Sequence, residues 1–142
     1  MLITAIKQTS PGRLTVTLED EREIKTTLGV VTDLRLFSGR ELDEGGLEEL
    51  ERESRRALTR EKALEYLSRR AMSRKELEKK LTDKGCDEED AAYCAAWLSE
   101  RGLIDDASYA AAVARHYSAK GYGPGRIRSE LSRRGIDRDM WD

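Results

Sequence analysis

A chain of 142 residues has room for one ordinary domain, or for one small domain followed by a short repeat array. Charged residues make up 38% and aromatics only 6%, so the core must be aliphatic and thin. The formal charge of −2 argues against indiscriminate binding of DNA or RNA, and no apolar run approaches the roughly 20 residues that span a bilayer. The N-terminus lacks the charged, apolar and cleavage-site segments of a signal peptide, so a cytoplasmic protein is expected. Cys86 and Cys94 stand without a CxxC or a nearby His pair, which reads as two reduced thiols, Cys94 in the core, and no metal site.

The first forty residues read as β. Leu14, Val16 and Leu18 alternate with Thr15 and Thr17, one apolar face and one polar. Ser10-Pro11-Gly12-Arg13 places Pro and Gly at the central positions of a type II turn, which pairs Leu2–Lys7 with Arg13–Glu19 as a hairpin. Asp20-Glu21-Arg22 turns the chain into Glu23–Leu28, and a further apolar piece follows at Val30–Leu36. Three or four strands with one apolar face are viable once a helix covers them. The expectation is a small antiparallel sheet over residues 1–43.

From Leu47 the pattern turns helical, through Leu50, Ser54, Ala57, Leu58, Leu64, Leu67 and Ala71, with Thr59 available to cap a fresh start at Arg60. Ser73, three residues before Glu76, forms a capping box, and Met72 and Leu77 have the spacing of a hydrophobic staple. That helix stops at Lys84-Gly85. Asp87 caps the next, with Glu88, Glu89 and Asp90 in the first turn, where the helix dipole favours negative charge. Its apolar positions are Ala91, Cys94, Ala95, Trp97 and Leu98, and Arg101-Gly102 ends it. Asp105 and Asp106, which resemble a paired-carboxylate site, sit where caps of the Ala107–Lys120 helix belong. Pro124–Arg134 follows, ending at Gly135, and Asp137 restarts a helix at Arg138.

Ser73–Ala92 lies over Gly123–Asp142 without a gap, at a constant offset of 50 residues. Leu81 matches Leu131, Gly85 matches Gly135, and Asp87 matches Asp137. Such a period describes small helical units that stack because neither buries its apolar face alone. The chain is therefore expected to be α+β but mostly α: the sheet, then tandem three-helix repeats in an elongated array. Residues 44–104 hold a linker helix and the first repeat; residues 105–142 hold a second repeat that stops short of its third helix. A truncated sequence is the expectation there.

The net charge hides a local excess of cations. Between Arg115 and Arg134 stand Arg115, Lys120, Arg126, Arg128, Arg133 and Arg134 against Glu130 alone. On the first repeat, Arg74, Lys75 and Lys79 lie next to Arg69 and Arg70. Guanidinium forks suit carboxylates or phosphates alike. The competing reading is pairing within a helix, for instance Glu76 with Lys80. His116, the only histidine, has no triad or metal set to join and reads as helix surface. Tyr66, Trp97 and Tyr109 read as core, and Tyr93, Tyr117 and Tyr122 as partly exposed. So few aromatics do not make a base-stacking surface.

The segment from Ala63, AL-x-YL-x-x-R-x-MSRKEL…L…KG, then GLIDDASYA, then G-x-G-x-x-x-I-x-x-EL-x-x-(R)GI, resembles the RecX family of bacterial regulators of the RecA recombinase. The N-terminal strands and the Leu36–Leu50 segment, with its GREL, are compatible with that family's leading region. Family members usually carry a third three-helix unit. The resemblance implies a non-enzymatic role, and a monomer without cofactors is the expectation. It would bind RecA, especially RecA polymerised on single-stranded DNA, lodge in the filament groove, and inhibit strand exchange, ATP hydrolysis and co-protease activity. The basic residues then meet RecA carboxylates or, through a weak direct contact, DNA phosphates. A different reading makes each unit a helix-turn-helix-like DNA-binding module acting without RecA. An enzyme finds no nucleophile–base pair and no glycine-rich phosphate loop after a strand.

Overall fold

The computed structural model describes residues 1–141 and divides the chain into two compact units, one over Met1–Glu61 and one from Lys62 onward. In the first, β1 (Ile3–Ser10), β2 (Arg13–Leu18) and β3 (Glu23–Thr27) form an antiparallel sheet in the order β1-β2-β3. The Pro11-Gly12 turn closes the first hairpin, with Gly12 at φ 77°, a conformation that other residues adopt at a cost. Val16 sits opposite Ile6 on one side and Ile24 on the other, so the alternation along β2 becomes one apolar face. Ile3, Val16 and Leu18 are buried from that face against Leu36, Leu42, Leu50 and Ala57. Among them the Ser54 hydroxyl donates to Thr26 Oγ1 at 2.8 Å, so two buried polar groups satisfy each other.

The apolar piece after β3 is not a strand. Leu28–Asp33 is a short helix, α1, because Thr27 ends the sheet and its hydroxyl accepts the Val30 amide as an N-cap. A short apolar run carries no period long enough to separate the two states. The next helix, α2, runs unbroken over Glu44–Arg69, with Asp43 Oδ1 accepting the Gly46 amide at 2.6 Å. Thr59 starts nothing new: its hydroxyl donates back to the Arg55 carbonyl at 2.8 Å, as a mid-helix Thr can. Leu64, expected on the inner face, is 43% exposed.

The second unit continues with α3 (Arg74–Asp83), α4 (Glu88–Glu100), α5 (Asp106–Ala119) and α6 (Pro124–Arg133), then one 3-10 turn, Arg138–Met140. The capping box is present in full: Ser73 Oγ accepts the Glu76 amide at 3.0 Å, and Glu76 Oε1 accepts the Ser73 amide at 3.1 Å. Met72, Leu77 and Leu81 are buried with Ala91, Ala95 and Leu98, which fastens α3 to α4. A smaller cluster of Ala110, Val113, Leu131 and Ile136 joins α5 to α6. Asp105 caps α5 through the Ser108 amide, whereas Asp106 serves another helix, accepting the Arg74 amide at the start of α3. The fold is thus α+β and mostly helical, a small N-terminal antiparallel sheet followed by tandem three-helix repeats.

Candidate functional site

The eleven cations singled out in the sequence fall into three groups by what their heads touch. The first-repeat set is paired. Arg69 meets Glu65 at 2.7 Å, Arg74 meets Glu78 at 3.4 Å, and Lys79 meets Asp83 at 3.3 Å, each one helical turn apart. Arg70 bonds Glu76 at 3.3 Å and the Ala71 carbonyl at 3.0 Å, and Lys75 reaches Asp137 at 3.4 Å. Exposed pairs of this kind contribute a few tenths of a kcal/mol each, up to about 1. The Glu76–Lys80 pair is not made, because the Glu76 carboxylate is held by the cap and by Arg70. Lys80 lies instead over the Tyr66 ring at 4.5 Å. An open hollow of about 620 Å³ gathers Arg70, Lys79 and Arg133 with Lys80 and Lys84, which the sequence assigns to helix pairing and a helix stop rather than to the binding set, around Glu76 and Asp83.

Arg133 and Arg134 form the second group, bound to one carboxylate. Glu130 Oε1 accepts from Arg133 Nη2 at 2.5 Å and Arg134 Nε at 2.8 Å, and Oε2 accepts from Arg133 Nε at 3.1 Å. These bonds, Arg133's first and Arg134's next, hold the Glu130 carboxyl down to about 2. Arg134 also donates to the Tyr109 hydroxyl at 2.7 Å and to Tyr117 at 3.4 Å. Desolvation opposes its charge, but the bonds to Glu130 and the two tyrosines outweigh it and raise its pKa. Arg134 therefore leaves the surface stripe to which its helical position assigned it, with its side chain only 22% exposed. Arg133 stays 69% exposed, on the rim of the hollow. Tyr109 is half-buried, and burial, then a bond to Glu76, push its phenol up.

Arg115, Lys120, Arg126 and Arg128 make the third group. All four are exposed, and no ion pair to any of them exists among the described residues. Lys120 and Arg126 flank two stacked tyrosines. The rings of Tyr117 and Tyr122 are 5.3 Å apart and 18° from parallel, with Arg126 over Tyr122 at 3.8 Å and Lys120 over Tyr117 at 5.7 Å. Arg115 and Arg128 line two shallow hollows that share Ala114 and Ile127, along the α5–α6 groove. The tyrosine stack is what the sequence reading missed; its signal was the five-residue spacing across a helix-ending glycine, which folds one ring over the other. His116 is exposed and meets the edge of Tyr117 at 5.2 Å. Cys94 is buried and Cys86 half-buried, and neither is in a disulfide. Among the described residues no group of three His, Cys, Asp or Glu is placed to hold a metal, and no helix is long and apolar enough to cross a membrane.

Two family models match the repeats: RecX, first three-helix domain, over residues 60–98, and RecX, second three-helix domain, over residues 105–142. Together they cover more than half of the chain. The chain is 42% identical over 79 residues to Regulatory protein RecX of Pseudomonas entomophila (strain L48), a stretch covering 56% of this chain and 51% of that one. It is 44% identical over 77 residues to Regulatory protein RecX of Stenotrophomonas maltophilia (strain R551-3), covering 54% and 47%. The chain thus spans about half the length of the curated relatives it matches. A crystal structure of regulatory protein RecX superposes with a TM-score of 0.81 at 29% identity, over 98% of this chain and 70% of that one. RecX from Lactobacillus salivarius superposes with a TM-score of 0.57 at 31% identity, over 61% and 56%. Two family models over the two repeats, and a solved RecX structure that superposes over 98% of the chain, agree: the chain belongs to the RecX family.

Proposed function

We propose that this chain is a non-enzymatic regulator of the RecA recombinase. It binds RecA, above all the filament on single-stranded DNA, and inhibits recombination, ATP hydrolysis and co-protease activity. Family membership and the regulatory role named in the relatives support this reading. The observation that carries it to particular residues is the absence of carboxylate partners around Arg115, Lys120, Arg126 and Arg128. A cation already in an ion pair must give up that pair to bind a new anion, so its exchange is nearly neutral. An unpaired, exposed cation gains the whole new interaction. The proposal therefore places the main contact on the second repeat and assigns it to RecA carboxylates. The tyrosine stack is occupied by its own neighbours, so it offers no open ring to a nucleobase.

Co-sedimentation tests this. The chain should pellet with RecA filaments on single-stranded DNA and remain in the supernatant with the DNA alone, at both low and moderate salt. Binding to bare DNA whose affinity falls with a log–log salt slope near −0.9 per phosphate on duplex, or roughly −0.7 on a single strand, without preference for the filament, would replace the regulator with a DNA-binding module.

A further inference from the structure

Arg126 is singled out among the four unpaired cations by what lies beneath it. Its guanidinium carbon is 3.8 Å from the centroid of the Tyr122 ring. Tyr122 is itself fixed twice by Tyr117: its amide donates to the Tyr117 carbonyl at 3.0 Å, and its ring stacks on the Tyr117 ring. The first of these bonds belongs to the α5 terminus, where Gly121 at φ 87° turns the chain back over the last helical turn. Tyr117 is anchored in turn, its hydroxyl 3.4 Å from both Glu130 Oε1 and Arg134 Nη2. A continuous stack thus runs from the Glu130–Arg134 cluster through two rings to Arg126.

The same cluster leaves Arg126 without a carboxylate partner on its own helix. Glu130, one helical turn along α6, is the carboxylate that would ordinarily pair with it. Its oxygens are filled by Arg133, Arg134 and Tyr117. The carboxylate is thereby spent, and Arg126 keeps its own donors for a partner. A guanidinium stacked on a ring keeps its N–H edge outward and loses little freedom on binding a carboxylate, the property that makes arginines binding hot spots.

We infer that Tyr122 is a positioning residue, which with Tyr117 beneath it holds Arg126 ready as the anchor for a carboxylate on the protein partner. The inference rests on the reading of the second repeat as the filament-binding surface. Arg126 belongs to the binding contact; Tyr122 acts through it.

The test pairs affinity with side-chain order. Fluorescence anisotropy of the labelled chain on RecA–single-stranded-DNA filaments should show Arg126→Ala weakening binding about tenfold or more and Tyr122→Leu about threefold to tenfold. Tyr122→Phe should bind as the parent does, since the Tyr122 hydroxyl makes no hydrogen bond within the described residues. The double variant Tyr122→Leu/Arg126→Ala should bind like Arg126→Ala alone. In the free chain, 15N relaxation of the Arg126 Nε–Hε group should report an ordered side chain in the parent and in Tyr122→Phe, and a mobile one in Tyr122→Leu. Equal mobility in parent and Tyr122→Leu, or additive losses in the double variant, overturns the positioning role. A parent chain that ignores the filament sinks the regulatory reading instead, and the relaxation measurement still decides whether Tyr122 holds Arg126.

Discussion

The hydroxyl of Ser73 donates a hydrogen bond to the carbonyl oxygen of Arg134 at 2.5 Å, joining the start of α3 to the end of α6 across 61 residues of chain. The same oxygen accepts the Glu76 amide as the N-cap of α3. One buried hydroxyl therefore finishes a helix in each repeat, and two further links lie beside it. Asp106 accepts the Arg74 amide at 2.9 Å, and Lys75 reaches Asp137. The seam between the repeats is built from capping groups, which spend backbone donors and acceptors that helix ends leave open.

Replacing Ser73 with Ala removes the cap and strands the Arg134 carbonyl at once. Loss of an N-cap costs about 1 kcal/mol, and the half-buried Arg134 carbonyl left without its partner adds about 1 kcal/mol, the low end for an unsatisfied acceptor. Ser73→Ala is expected to lower stability by about 2 kcal/mol or more in denaturant titrations followed by tryptophan fluorescence. Both tryptophans, Trp97 and Trp141, lie in the second unit, so the signal reads the affected part. A loss under half a kcal/mol would show that the seam does not depend on this hydroxyl.

Gly135 and Gly85 hold corresponding places in the two repeats, yet only one faces a neighbour. Both have positive φ, 74° and 94°. A Cβ on Gly135 would stand 2.7 Å from Lys75 Cβ, whereas one on Gly85 would meet nothing within 4 Å. Gly85→Ala should cost about 1–2 kcal/mol, the left-handed backbone alone. Gly135→Ala adds a clash at the seam and should cost distinctly more. Equal melting temperatures for the two variants would contradict the close approach of the repeats.

Glu130 makes stability pH-dependent in a defined window. Its carboxyl titrates at about 2 in the folded chain against an ordinary value of 4.5. The folded value is depressed, so the stabilisation is complete above pH 4.5 and is lost as pH falls toward 2. Solvent reaches the cluster from the exposed Arg133 side, and its screening reduces the effect to about 1 kcal/mol. The stability gap between the parent and Glu130→Gln should therefore narrow between pH 4.5 and 2, read by thermal denaturation at fixed ionic strength. A gap constant across that range would mean the carboxylate is not the hub.

The arginines divide by role, and stability measurements should show it. Arg134→Ala removes bonds to Glu130, Tyr109 and Tyr117, and charged hydrogen bonds of this kind are worth about 1.5–3 kcal/mol. Arg128→Ala removes no bond within the described residues and should shift stability by no more than about 0.5 kcal/mol. A destabilised Arg128→Ala with a neutral Arg134→Ala would reverse the assignment.

The elements whose signals are local could be read from the sequence: the alternation of Leu14, Val16 and Leu18, the Ser73–Glu76 box, and the glycine stops after Lys84 and Arg134. What depends on a partner distant in sequence could not. The Val30–Leu36 piece is ambiguous by itself, because its helical start depends on the Thr27 cap at the end of β3. Asp106 looked like a cap for its own helix, but its carboxylate serves Arg74. The list of basic residues was recoverable as composition, and its division was not. Arg134 turns inward because Tyr109 and Tyr117, both on α5, offer hydroxyls to it, and no helical wheel of α6 contains them.

The central claim is that the unpaired cations of the second repeat, rather than the paired ones of the first, engage RecA. The most direct measurement is single-stranded-DNA-dependent ATP hydrolysis by RecA, titrated with three chains: the parent, Arg126→Glu/Arg128→Glu, and Arg74→Glu/Lys79→Glu. The parent should inhibit at amounts too small to sequester the DNA. The second-repeat variant should require at least about tenfold more protein, while the first-repeat variant stays within about twofold of the parent. Inhibition lost with the first-repeat variant and kept with the second would contradict the account.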